Sequence, residues 1–288
     1  MAVLLGLLSG IVYGAADFCG GLSTKRNPMF RVVLLSQLAG FVVYLAALPL
    51  LPEGRFTAGA WVWGGLSGLA GAVGIGFLYA GLARGRMSVV APTAAVVFAV
   101  VPLAFGLLGG ERPTALQLVG VAVALPAVAL VSTARDPDAA LGSGRDGALA
   151  RMRSSGVPEA VAAGLAIAAF AILLDRTGEE TGPWPLVSGR IVSVGIFLAA
   201  VLVSRTPLRP TTGTAGIIVA AGVFDVSANL LYLLAIREGL LSIVVVLTGL
   251  YPATTVILAR ALLRERLSGS QVVGLVLALG GVAAIAAG

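Results

Sequence analysis

Ten apolar runs, each about 17–25 residues long, occupy most of this chain. They lie near 2–22, 31–50, 60–83, 88–108, 115–132, 158–174, 185–203, 214–236, 241–262 and 271–287. This pattern constrains the fold more than any single residue does. A run of that length buried in hydrocarbon must satisfy its own backbone N–H and C=O groups, so it is a helix or part of a closed barrel. None of the runs alternates with period 2, which argues against barrel strands. Charged residues are only 11% of the chain and apolar ones 58%. A soluble domain carries about a quarter charged residues, so no water-surrounded core can hide this much apolar surface. The expected fold class is an all-α integral membrane protein with ten transmembrane helices. Pro92, Pro102, Pro126 and Pro252 fall inside runs and are expected as kinks, which membrane helices tolerate.

One stretch breaks the pattern. Residues 135–157 gather Asp136, Asp138, Arg145, Asp146, Arg151 and Arg153 among Gly and Ser, the composition of a polar linker. It divides the chain into residues 1–134, five spans, and 158–288, five more. The two parts look alike. Gly85-Arg-Met-Ser88 matches Gly239-Leu-Leu-Ser242, Glu111-Arg112 matches Glu265-Arg266, and Gly120 matches Gly274, all 154 residues apart. An internal repeat of this kind is a transporter signature. Five spans per half make the second half enter the bilayer from the opposite side, so the repeats are expected to be inverted.

Charge sets the expected orientation. Basic residues concentrate in alternate loops, among them Lys25, Arg26, Arg84, Arg205, Arg209 and Arg264. The other loops hold few, such as Arg55, Arg112 and Arg176. The positive-inside rule places the basic loops and the 135–157 linker in the cytoplasm and both termini outside. The net charge of +6 is therefore read as a topology signal, and no nucleic-acid partner is expected. Lys25 is the only lysine among many arginines, a usage that hints at a GC-rich bacterial genome and no more; the expected location is a bacterial plasma (inner) membrane. With no histidine and Cys19 as the only cysteine, a Ser-His-Asp triad, a Cys cluster and a His-based metal site are excluded. There is no Walker sequence for ATP. No cofactor or metal is expected.

Against the apolar background, a few polar residues stand out. The span Gly213–Glu238 carries Asp225, Asn229 and Tyr232 at i, i+4 and i+7, one helical face. An aspartate at mid-bilayer costs about 2.5–3.5 kcal/mol on insertion scales, so it faces a partner or a wet cavity and marks function by default. Tyr13 and Asp17 share a face of the first span in the same way. The two faces are expected to meet in a central site, where Asp225 holds a proton or a cationic group beside Asp17, and Asn229 and the tyrosine hydroxyls orient the cargo. The alternative for Asp17 is a pair with Lys25 or Arg26. Arg190, inside the seventh span, is expected either to pair with Asp175 at the end of the sixth or to anchor an anionic group of the substrate. Glu111 and Glu265 are expected to cap the last helix of their own repeats. Gly64, Gly68, Ala72 and Gly76, every fourth residue, read as close helix packing. Trp61, Trp63, Trp184 and Tyr44 lie near span ends and read as interfacial anchors.

On ten spans, the duplication and the recurring motif Pro102 to Glu111-Arg112 and Tyr251-Pro252 to Glu265-Arg266, the chain resembles the drug/metabolite transporter superfamily, in particular the EamA-type ten-helix permeases. Gly6–Gly21, with Tyr13 and Asp17, is similar to that family's first helix. The resemblance implies a secondary transporter, an exporter of a small metabolite, amino acid or drug, in contact with the lipid bilayer and with a proton as candidate coupling ion. It does not specify the cargo. The residues themselves leave open two other classes, a membrane-embedded enzyme and a non-transporting partner subunit. The lack of histidine and of phosphate-binding motifs argues against the enzyme.

Overall fold

The computed structural model describes residues 1–51, 53–84, 87–132, 156–264 and 267–288. The apolar runs are helices. They are α1 (Ala2–Thr24), α2 (Met29–Ala47), α3 (Ala58–Arg84), α4 (Met87–Leu108), α5 (Ala115–Ser132), α6 (Val157–Asp175), α7 (Trp184–Ser204), α8 (Ala215–Glu238), α9 (Leu241–Thr248), α10 (Tyr251–Leu263) and α11 (Gly269–Ala287). No strand occurs among the described residues. Eight of the helical stretches are long and apolar enough to cross a bilayer, and Thr93–Leu108 and Ala115–Val131 are shorter apolar helices. The polar segment 133–155, Gly85-Arg86, Glu265-Arg266 and the side chain of Tyr79 lie outside the described residues.

The span expected over 241–262 is two helices. α9 ends at Thr248 and α10 begins at Tyr251 with Pro252 in its first turn. Proline lacks the N–H that would continue the ladder of α9, so the helix restarts there. Pro126, by contrast, sits inside an unbroken α5. Every residue of α9 is buried, as its Leu-Ser-Ile-Val-Val-Val-Leu-Thr sequence demands, since it is apolar on all sides. It forms the centre of the main apolar cluster with residues from α1, α4, α5, α6 and α8.

Glycines set the helix spacings. A Cβ on Gly68 of α3 would collide with the Gly189 backbone of α7, and one on Gly222 of α8 with the Ser36 carbonyl of α2. Gly120 of α5 meets Gly281 and the Ile285 amide of α11, while Gly274 of α11 meets the Val131 amide of α5. Ile285 lies 154 residues after Val131, the same offset that separates Gly274 from Gly120, so the two helices touch each other through corresponding residues. Such packing replaces the hydrophobic drive that lipid cannot supply. Of the expected small-residue stripe, Gly64 and Gly68 press against α7, whereas Gly76 has open space beside it.

Loops join the two parts of the chain at both ends of the bundle. At the end rich in Lys and Arg, the Asn27 amide donates to Thr214 Oγ1 at 3.1 Å and its carbonyl accepts the Thr211 N–H at 2.9 Å. Arg31, buried, donates to the Pro207 carbonyl. At the opposite end, the Arg55 N–H donates to the Glu180 carbonyl at 2.7 Å, and Trp184 Nε1 to the Gly54 carbonyl at 3.0 Å. Tyr44 is no interfacial anchor. It is buried, and its hydroxyl donates to the Pro183 carbonyl at 2.9 Å, fastening α2 to the start of α7.

Candidate functional site

The helices enclose a cavity of about 210 Å³. Its lining comes from α1 to α4 and α6 to α10; among the described lining residues none belongs to α5 or α11. Tyr13, Asp17, Arg190, Asp225, Asn229 and Tyr232 all contribute to its wall. The two polar faces read from the sequence therefore meet in one place. On α1 the lipid-facing residues Leu4, Leu8 and Ile11 are exposed, and helical geometry puts Tyr13 and Asp17 on the opposite side. Asp17 keeps an exposed surface because it borders the cavity, although protein surrounds it. It has no hydrogen bond or ion pair among the described residues, so the expected pair with Lys25 or Arg26 is not formed.

Arg190 does not pair with Asp175. Its guanidinium donates to Asp225 Oδ2 at 2.6 Å, with side-chain exposures of 10% for Arg190 and 37% for Asp225. Helix depth explains the difference. Arg190 lies six residues into α7, about 9 Å from its start, and Asp225 ten residues into α8, about 15 Å from the other end. A span of about 31 Å leaves a gap near 7 Å, which the long arginine side chain closes. Asp175 ends α6 at bilayer-edge depth and lies instead within electrostatic reach of Glu111 and Arg176.

Asn229 is committed locally. Its amide donates to the Asp225 backbone carbonyl at 2.7 Å, one turn back. Tyr232 is 1% exposed, stacks at a tilt on Phe170 with centroids 6.4 Å apart, and its buried hydroxyl has no hydrogen-bond partner among the described residues. Such an orphan is costly unless a water or a ligand meets it. Gln37, Ser67, Ser193, Thr248 and Tyr251, which the sequence reading does not assign to the site, also line the cavity. Gln37 accepts a hydrogen bond from Ser193 at 2.6 Å beside Arg190, and Thr248 and Tyr251 flank the α9–α10 break. Gln37 carries the same signal as Asp225, a polar side chain in mid-span.

Glu111 also departs from expectation. It does not cap α5. Its Oε1 accepts the Leu241 N–H at 2.9 Å and its Oε2 the Ser242 N–H at 3.0 Å, so it caps α9, 130 residues away. A carboxylate there meets the positive end of the helix dipole. The cap of α5 is Thr114 with Gln117, each side chain bonded to the other's N–H. Ser268 and Gln271 repeat that capping box on α11, again 154 residues on.

Comparison with known proteins follows the same division. The family model of the EamA-like transporter family matches residues 1–133 and again 154–287. A solved structure titled only "Crystal structure of protein" is 21% identical, with 99% of this chain and 98% of that chain covered and a TM-score of 0.76. At that identity the likeness concerns the fold. No curated protein matches.

Proposed function

The chain belongs to the EamA-like transporter family, and from that premise we propose that it is a secondary transporter working by alternating access through the central cavity. It is a multi-pass membrane protein of the drug/metabolite transporter type. Residues 1–134 and 158–288 act as two halves inserted in opposite senses, with the 135–157 segment as the cytoplasmic linker between them. The observation that carries this reading is a cavity in which residues from both halves, Asp17 on one side and the Arg190–Asp225 pair on the other, face each other amid apolar helices. Charge at that depth is expensive and is retained along transport paths. The corresponding contacts within the α5–α11 pair and between loops at both bundle ends support two related halves.

The direction we propose is export of a small organic solute, driven by a proton gradient or by the solute's own gradient. Asp225 already has a cation at 2.6 Å. Asp17 is therefore the carboxylate that takes a proton or a cargo cation, while Arg190, Asp225 and Asn229 set the opposite wall. Purified protein in proteoliposomes tests the reading. Uptake of a solute from a mixed panel, at a rate above protein-free vesicles and altered by an imposed pH gradient, is the expected result. No flux for any charge class would overturn transport. Flux indifferent to the gradient would overturn coupling alone.

A further inference from the structure

We infer that the cargo is a monocationic amine with an apolar body, its ammonium held by Asp17 between Tyr13 and Tyr251; this rests on the transport reading above. Asp17, Asp225 and Arg190 are the charged side chains among the described lining residues. With Asp17 ionised, the described lining carries one more negative charge than positive. Arg190 spends its charge on Asp225 at 2.6 Å and is only 10% exposed, so an anionic cargo would have to break that pair to reach it. Asp17 is unpaired among the described residues and opens onto the cavity. An ammonium neutralises the site. A zwitterion leaves its charge unchanged, and an anion raises it in surroundings that screen charge poorly.

The walls fit the same cargo. Tyr13 and Tyr251 lie within electrostatic reach of Asp17, and aromatic rings beside a carboxylate favour an organic cation. Phe98, Ile167 and Phe170 give an apolar surface for the body. The buried hydroxyl of Tyr232, without a partner among the described residues, belongs to a residue that lines the cavity and offers one hydrogen bond there. A volume of about 210 Å³ suits a metabolite-sized molecule.

Three probes of one shape and three charges test this: 2-phenylethylamine, phenylalanine and 3-phenylpropanoate, titrated calorimetrically into the purified full-length protein at neutral pH. The amine should bind at least about tenfold tighter than either of the others, the loss expected when a charge-assisted contact is absent. Asp17→Asn should weaken amine binding by about tenfold or more, with its melting temperature retained, and Asp17→Glu should keep most of the binding. Equal or tighter binding of phenylalanine or 3-phenylpropanoate, no binding of any probe, or undiminished amine binding in Asp17→Asn would overturn the assignment. The comparison of probes on the native chain needs no variant to fold. Counterflow in vesicles separates the two readings. Amine binding without flux defeats transport and leaves the site standing, whereas flux of the acid or amino acid but not the amine defeats the site and leaves transport standing.

Discussion

Arg190 and Asp225 form an ion pair in the cavity wall, with 2.6 Å between guanidinium and carboxylate. The pair joins α7 to α8 at mid-depth, and Ser193, one turn below Arg190, extends it through Gln37 to α2. Removing one member of a fully buried pair costs about 3–5 kcal/mol, because the other charge is left stranded. Asp225 is partly open to the cavity, so the expected loss is smaller, about 2 kcal/mol. Arg190→Ala and Asp225→Ala should each lower the melting temperature, and the double variant should lose less than the two added together. Strict additivity, measured by thermal unfolding in detergent, would show that the pair carries no coupling.

Glu111 is the next test, since its carboxylate ties the α4–α5 corner to the start of α9. Replacing a helix cap by alanine costs about 1–2 kcal/mol. Glu111→Ala should destabilise by that amount and loosen the corner at Gly239 and Leu240. Labelling of a cysteine placed at Leu240, in a Cys19→Ser background, should quicken in the variant. Unchanged labelling would mean that the corner is held by packing and not by the cap. Glu111→Asp, one methylene shorter, should rescue incompletely.

Two glycines of one stripe should behave in opposite ways. Gly68→Ala drives a methyl group into the Gly189 backbone and forces α3 from α7, an overpacking that costs about 1–3 kcal/mol. Gly76→Ala meets open space and gains helix propensity of up to about 1 kcal/mol. A drop in melting temperature for the first, with none for the second, is the expected outcome. Equal effects would argue against close α3–α7 contact.

The spans were legible because hydropathy sums over some twenty residues, so single misreadings average out. The break before Tyr251 was visible in part, through Pro252. The partner of Arg190 was not. Sequence order points to Asp175, at the end of the preceding span, whereas the depth of each helix and the reach of the side chain select Asp225. Glu111 misled for a related reason. The dipole argument identified a helix start as its target, but the start it reaches is 130 residues away, whereas the caps that do serve α5 and α11 stand in plain view as Thr114-x-x-Gln117 and Ser268-x-x-Gln271. The faces of α1 and α8 could be read by helical periodicity; their meeting in one cavity required the fold.

Orientation follows from charges that the fold leaves free. Arg31 and Arg237 are engaged, with Pro207 on one side and with Thr181 and Gly182 on the other, and so contribute less to topology. Lys25, Arg26, Arg205 and Arg209 remain exposed at one end, while Glu53, Glu179 and Glu180 are exposed with Arg55 and Arg176 at the other. The positive-inside rule then predicts that the first end is cytoplasmic. A reporter active only in the cytoplasm should be silent when fused at Gly288. Strong activity there would reverse the assignment.

Tyr232 separates a structural role from a binding role. Among the described residues its buried hydroxyl has no partner, so the folded protein gains no hydrogen bond from it. Removing an unsatisfied polar atom is neutral or stabilising, by up to about 1 kcal/mol. Tyr232→Phe keeps the ring on Phe170 and the packing around it, and its melting temperature should equal or exceed the native value. If the hydroxyl meets cargo, or a water that cargo holds, affinity should fall by about tenfold, the worth of one hydrogen bond in a dry site. Calorimetry with and without the substitution, read beside thermal unfolding, decides the matter. Lower stability with unchanged affinity would show that the hydroxyl serves the helix bundle and not the solute.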